Sequence, residues 1–292
     1  MKKLFGSIEA GGTKFICAVG DAQLNIVDII EIPTTLPEET LQKTVDFFHM
    51  YQSSLQSIAV GSFGPIDINE RSCTYGYITS TPKPGWANTN VIGFLKSYFS
   101  LPMIFTTDVN SSAYGEMVLR NNVNHLVYFT IGTGIGGGVV QNQMEIGGIG
   151  HTELGHTMLP KHPKDVYFEG VCPFHGACAE GLASGPSIKA RYNVEGNQLP
   201  DGHEIWNILS YYYAQLAVNA TLNYRPEIIV FGGGVMKRTY LIDKVRKDFE
   251  KLINGYVTYP KVKDYIVLPK AKNNMSATIG NFDLAKRLIE DI

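Results

Sequence analysis

The chain has 292 residues, 44% hydrophobic and 18% charged, with a net charge of −2. This is the composition of a soluble globular protein, long enough for one large domain or two ordinary ones. It speaks against a basic surface for nucleic acid or membrane, and no run of about 18 apolar residues predicts a transmembrane helix. The opening MKKLFG carries two lysines but no apolar stretch after them, because Glu9 and the glycines follow at once. A cytoplasmic chain with reduced thiols is expected.

In chain order, SIEA (7–10) reads as a strand, Gly11-Gly12-Thr13-Lys14 as a loop, and FICAV (15–19) and NIVDIIEI (25–32) as strands. From Glu38, Leu41, Val45, Phe48 and Tyr51 recur on one face of a helix. SIAVGSF is a buried strand. Residues 66–90, rich in Gly, Pro, Thr and Asn, read as a long loop. VIGFLKSYF is a helix, MIFTT a strand and NSSAYGEMVLR a helix. The opening then repeats: HLVYFTI (125–131), Gly132-Thr133-Gly134, and a strand from Gly136. Strand, glycine loop and strand occur twice, which predicts two related halves. A helix over 203–222, a strand at 227–231, Gly232-Gly233-Gly234, a helix over 239–253 and a terminal helix from Ser276 complete the second half.

Glycine loops between strands let backbone N–H groups approach a phosphate, although one such loop alone is also an ordinary hairpin turn. Three of them, at 11–14, 132–138 and 232–234, favour a nucleotide. Residues 132–137 spell G-T-G-I-G-G, yet the dinucleotide fingerprint needs a helix after its glycines, and here a strand follows. No G-x-x-x-x-G-K-[ST] is present.

CPFHGAC (172–178) puts Cys172, His175 and Cys178 at three-residue spacing. In a reduced compartment this reads as a metal site rather than a disulfide, with incidental thiols as the alternative. Asp108 follows a strand and precedes a helix, where a carboxylate serves as a base or as a helix cap. Asn88, after Pro84-Gly85-Trp86, is either a turn residue or an amide for a hydroxyl pair. Trp86 and Cys17 read as core, Cys73 as a loop thiol.

EAGGTK, Gly134-Ile-Gly-Gly-Gly, Glu153-Leu-Gly-His156, the Cys/His run and FGGG resemble, in that order, the ROK family (repressors, open reading frames, kinases) of the sugar kinase, heat-shock protein and actin superfamily. The resemblance covers essentially the whole chain. Within the family TPKPGW (81–86), CPFHGAC and CAEGLASGPS (178–187) resemble the fructokinase branch. It implies an α/β fold of two ribonuclease-H-like domains around a cleft: 1–112 with a terminal helix of about 276–292 packing back on it, and 113–275 with the metal site. It implies ATP-dependent transfer to the 6-hydroxyl of fructose, with a hexokinase for mannose or glucose as the alternative.

The residue roles the resemblance implies are these. Asp108 is the general base. Asn88, Asp108, Glu153, His156 and Glu180 hold the sugar. Gly11, Gly12, Thr13, Lys14, Thr133 and Gly134 face the phosphates; Pro186, Gly234, Val235, Met236, Lys237 and Arg238 surround the adenosine. Lys237 and Arg238 serve equally as a solvated helix start. His156 becomes the fourth ligand, with Cys172, His175 and Cys178, of a structural Zn2+, and Mg2+ accompanies ATP. Loss of a cysteine is expected to weaken sugar binding before ATP binding. A homodimer is implied by analogy. Two residues depart from the family: Glu9 stands where the superfamily often has Asp, and Thr107 where many glucokinases have Asn. A sugar-responsive repressor is not expected, because the first loop begins at Gly11 with no helix-turn-helix before it. A sugar- or zinc-binding protein without activity is the blander alternative.

Overall fold

Strands β1 (Leu4–Ala10) and β2 (Lys14–Gly20) are buried along almost their whole length and form an antiparallel hairpin closed at Ala10↔Phe15. Strand β3 (Ile26–Pro33) extends it antiparallel, with Cys17 opposite Ile30. In this computed structural model, which describes residues 2–120 and 122–290, the chain splits into two units. One comprises Met1–Asn121, Glu145–His151 and Ala271–Ile292; the other comprises Asn122–Met144 and Thr152–Lys270.

In the first unit α1 (Pro37–His49) starts with Pro37, whose missing N–H costs nothing there, and with Glu38 and Glu39 against the positive helix end. It buries Leu41, Val45 and Phe48; Tyr51 lies beyond its end but still packs on the same core. Strand β4 (Leu55–Ser62) runs parallel to β1. Residues 66–90, expected as a loop, contain a two-stranded ribbon of β5 (Tyr77–Ile78) and β6 (Thr89–Asn90). Two-residue strands are too short to leave a periodic signal. Helix α2 is Val91–Lys96, shorter than the expected 91–99, and Asn90 caps it by accepting from Gly93 N–H at 2.7 Å. Strand β7 (Met103–Thr107) lies parallel to β4 and leads into α3 (Asp108–Val118). The sheet order is β3-β2-β1-β4-β7. Helix Ser276–Glu290 packs on α3, where Ser111 donates to Asn281 at 2.6 Å. Trp86 is fully buried and its indole donates to Thr35 O at 2.8 Å; Cys17 is buried and Cys73 exposed.

The second unit repeats the pattern. β8 (His125–Ile131) and β9 (Ile135–Gln141) form an antiparallel hairpin closed at Ile131↔Ile135. With β10 (Met144–Glu145), β11 (Ile228–Gly232) and β12 (Ile266–Val267) the order is β10-β9-β8-β11-β12, with β11 parallel to β8. The glycines at 132–134 open a strand, not a helix, as their sequence context requires. Two helices follow that the sequence did not announce, α4 (Ala179–Ala183) and α5 (Gly185–Tyr192), the latter with Pro186 in its first turn. Helix α6 (Ile205–Tyr224) lies two residues later than expected; α7 (Leu241–Ile253) and α8 (Val262–Tyr265) complete the unit. Among the described residues no helix is long and apolar enough to cross a membrane.

Candidate functional site

In the first unit the functional groups gather at the carboxyl ends of the parallel strands, where open α/β sheets hold their ligands. Register places Glu9, Gly61 and Thr106 in one row across β1, β4 and β7, and Asp108 follows directly. Helix α3 is capped by Thr107, whose Oγ1 accepts from Asn110 N–H at 3.1 Å. Asp108 is therefore not the cap; its Oδ1 meets the N–H of Val109 at 2.9 Å. Thr107 is buried with its hydroxyl committed to that cap. Glu9 is largely buried, and its Oε2 has no hydrogen-bond partner. Burial, then the Asp108 charge, push its carboxyl up to about 7, against a smaller opposing pull from Lys14. Two oxygen donors of this kind suit a hard cation carried by phosphates and water.

The first glycine loop turns tightly: Gly11 N–H donates to Lys14 O at 3.0 Å, and Thr34 ties down Gly11 O and Thr13 O. Lys14 is exposed and paired with Glu31 at 2.5 Å. Asn88 is exposed at φ +59°, a left-handed conformation that Asn tolerates, so the turn role is real whatever else its amide does.

In the second unit one cavity of about 910 Å³ is walled by Thr133, Pro186, Gly234, Val235, Lys237 and Arg238 among others. Sequence positions far apart are thus brought to one place. Gly134 and Met236 do not line it; Met236 is buried. Arg238 is held in the wall: it donates to Gly196 O at 3.0 Å and Leu199 O at 2.7 Å, pairs with Asp201, and lies 4.5 Å over the ring of Trp206. Its charge is largely spent on shaping the 196–201 loop. Lys189 pairs with Glu195 at 2.7 Å on the same cavity.

His156, Cys172, His175 and Cys178 present ligand atoms all within 4.8 Å of one another. The Nδ1 of His156 lies 3.7 Å from Cys172 Sγ and 3.5 Å from Cys178 Sγ, and His175 Nδ1 lies 3.7 Å from Cys172 Sγ. A tetrahedral zinc with bonds of about 2.3 Å to sulfur and 2.0–2.1 Å to nitrogen requires sulfur–nitrogen edges of about 3.6 Å, so the four residues fit that ion. Both cysteines are free thiols. A tight turn brings Cys172 and His175 round, with Gly176 N–H donating to Cys172 O at 2.9 Å. Burial first raises the Cys178 thiol to about 11, so binding a cation there releases protons. The Nδ1 of His156 faces the two sulfurs, which leaves its Nε2 for a different neighbour. Glu153 is exposed; Glu180, in α4, accepts from Ile135 N–H at 3.0 Å.

Sequence reasoning missed a second clamp on the segment between His156 and Cys172. Buried Asp165 takes a forked pair of bonds from Arg191, at 2.9 and 2.5 Å, and a third from Tyr212 OH at 2.7 Å. Arg191 also lies 3.6 Å over Phe168. Nothing in the spacing of an isolated Asp and Arg announces this. It also missed half-buried Glu145, which accepts from Thr106 and, at 2.7 Å, from Asn110 beside the β7–α3 junction.

This fold is also that of a ROK hexokinase from Thermus thermophilus, with a TM-score of 0.80 over 100% of both chains at 20% identity. It is the two-domain α/β architecture of actin-like sugar kinases that the family resemblance implies, and its two halves are those the internal repeat predicts. Among known sequences, a fructokinase of Streptococcus mutans is 56% identical over 290 residues, covering 99% of each chain. A fructokinase of Lactococcus lactis subsp. cremoris is 52% identical over 289 residues, again 99% of each. The sequence model of the ROK family matches residues 5–288. The chain belongs to the ROK family.

Proposed function

We propose that this protein is an ATP-dependent fructokinase, in which the sugar's 6-hydroxyl attacks the γ-phosphorus of ATP while Asp108 accepts its proton. The observation that carries the reaction class is Asp108 at the carboxyl end of β7, with the helix-capping duty taken by Thr107. Fructose as the sugar rests on the full-length likeness to proteins named fructokinase. Thr107, buried and accepting from Asn110 N–H, stands where many glucokinases carry Asn, which speaks against glucose-type recognition.

In this reading the new bond joins the sugar O6 to the γ-phosphorus, the bond to the β–γ bridging oxygen breaks, and ADP leaves. Gly11 to Lys14 and Thr133–Gly134 face the phosphates, and the second unit's cavity takes the nucleoside against Pro186 and Val235, with Lys237 at its edge. Mg2+, when bound with ATP, neutralises phosphate charge; Glu9 and Asp108 are the carboxylates suited to hold its waters. Asn88, Glu153, His156 and Glu180 contact the sugar. His156, Cys172, His175 and Cys178 hold a Zn2+ that, with four protein ligands, is structural rather than a Lewis acid. The family analogy adds a cytoplasmic homodimer.

The test is turnover of ATP with fructose, mannose and glucose, on protein as purified and after chelation and return to Mg2+. The reading expects fructose to give the highest kcat/KM, and activity lost on chelation to return with zinc. A zinc-loaded protein that phosphorylates no hexose overturns it.

A further inference from the structure

The four-residue metal cluster and the second glycine loop meet at three points within the second unit. Glu180, two residues after Cys178 and in the first turn of α4, accepts from the N–H of Ile135 at 3.0 Å. Gly185, just past the far end of α4, donates its N–H to Gly132 O at 2.8 Å. The short segment 180–185 therefore grips both ends of the loop, Gly132 and Ile135, and it starts beside a metal ligand. Gly155, next to His156, approaches from the other side, so close that a Cβ there would stand 1.7 Å from Ile135 O. The root of α4 is itself tied to the cysteine turn, because Val171 N–H donates to Gly181 O at 3.0 Å.

We propose that Glu180 is a positioning residue for the nucleotide loop, and that metal occupancy, by fixing Cys178 and His156, sets the affinity of that loop for the nucleotide. This rests on the readings above of 132–135 as a phosphate loop and of the cluster as a zinc site. It also revises the expectation that metal loss weakens sugar binding first. One oxygen of Glu180 is engaged by the loop before any sugar arrives, so disturbing α4 disturbs the backbone N–H groups that face a phosphate. A ligand's support from its outer contacts is a familiar determinant of site geometry; here the support runs outward, from the metal to a second site.

The measurement is ADP affinity, with Mg2+ present, by titration calorimetry on zinc-loaded and zinc-stripped protein, which needs no turnover. A charged acceptor lost from a backbone N–H predicts about a tenfold weaker Kd for zinc-stripped wild type and for zinc-loaded Glu180→Ala. Stripping zinc from Glu180→Ala adds little more, about twofold, because both changes break the same link. Glu180→Gln keeps an acceptor for Ile135 and holds ADP within about threefold of wild type. Amide exchange in the unmutated protein separates the local link from general loosening: when zinc leaves, the Ile135 amide quickens more than the core amides of β8 and β11. ADP affinity indifferent to zinc, Glu180→Ala binding ADP as wild type does, or an Ile135 amide unmoved by chelation overturns the proposal. If fructose is phosphorylated while ADP affinity ignores zinc, this inference fails and the kinase reading stands. If zinc-loaded wild type binds no ADP, the phosphate-loop reading fails and takes this one with it.

Discussion

The two units use one backbone plan with different side chains at its strand ends. Each begins with a hairpin turned by glycine, β1–β2 closing at Ala10↔Phe15 and β8–β9 at Ile131↔Ile135, and each lays a parallel strand against its first strand. The penultimate residues correspond: Glu9 of β1 sits opposite Gly61, and Thr130 of β8 opposite Gly232. Both of those glycines admit a close neighbour, since a Cβ would fall 2.2 Å from Ser111 Oγ in one case and 2.1 Å from the Tyr128 hydroxyl in the other. What differs is charge. The first unit places a carboxylate, Glu9, at that position and a second, Asp108, after its last strand; the second unit places a neutral hydroxyl there. A repeated frame thus carries two carboxylates at the strand ends of one unit and a neutral hydroxyl at the corresponding place in the other. The longest divergence lies between β10 and β11, where the second unit carries the metal cluster and α4 to α6 in place of the single helix α1.

The sharpest way to break this contrast is Asp108→Asn. General-base loss predicts a kcat lower by about 10²–10⁴-fold, with fructose and ADP affinities nearly kept. Because Thr107 does the capping, the melting temperature should hold. Unchanged kcat would remove the first unit's claim to the chemistry. The next effect belongs to the second unit. Asp165→Ala leaves the Arg191 guanidinium buried without its carboxylate, which costs about 3–5 kcal/mol. Urea unfolding of the zinc-loaded protein reads it directly. A silent Asp165→Ala would mean the metal alone holds the segment between His156 and Cys172.

The repeat was legible because strand, glycine loop and strand is a local pattern that the sheet register simply realises. The gathering of His156, Cys172, His175 and Cys178 was legible for a different reason: three lie within seven residues and the fourth in a motif the family carries. Arg238 was legible only as a charge near a glycine loop; that its partners would be Gly196, Leu199 and Trp206 depends on a loop brought in from forty residues away. The Asp165–Arg191 pair and Glu145 were silent for the same reason, since a buried ion pair or carboxylate is made by tertiary packing and leaves no spacing behind. Helices α4 and α5 were hidden by their Gly, Ser and Pro, which read as loop until the cysteine turn fixes where they start.

Glu9 offers a smaller, pH-dependent test of the same contrast. Its carboxyl holds a proton to about pH 7 in the folded chain, against an ordinary value of 4.5. The folded chain therefore binds more protons between those values, and stability falls as pH rises through that window, by about 3 kcal/mol at 1.36 kcal/mol per unit. The difference in urea stability between wild type and Glu9→Gln, followed from pH 5 to pH 8, should shrink or reverse toward high pH. Asp108→Asn should narrow the window from above, since the Asp108 charge is the second cause of the shift. A wild-type-minus-Gln difference that is flat across the window would place Glu9 in ordinary solvent.

The smallest effect bears on the assignment of Asp108 itself. Thr107 and Asp108 are adjacent and both can accept from the first turn of α3, so each is a candidate cap. The geometry gives the duty to Thr107. Thr107→Ala should therefore cost about 1 kcal/mol of stability, the usual cost of a lost N-cap, whereas Asp108→Ala, which removes any capping acceptor at that position, should cost far less. Thermal unfolding of the two variants decides between them without any assay of activity. If the costs came out reversed, Asp108 would be holding its helix, and the base would have to be sought at Glu9, whose raised pKa already suits it to accept a proton near neutral pH.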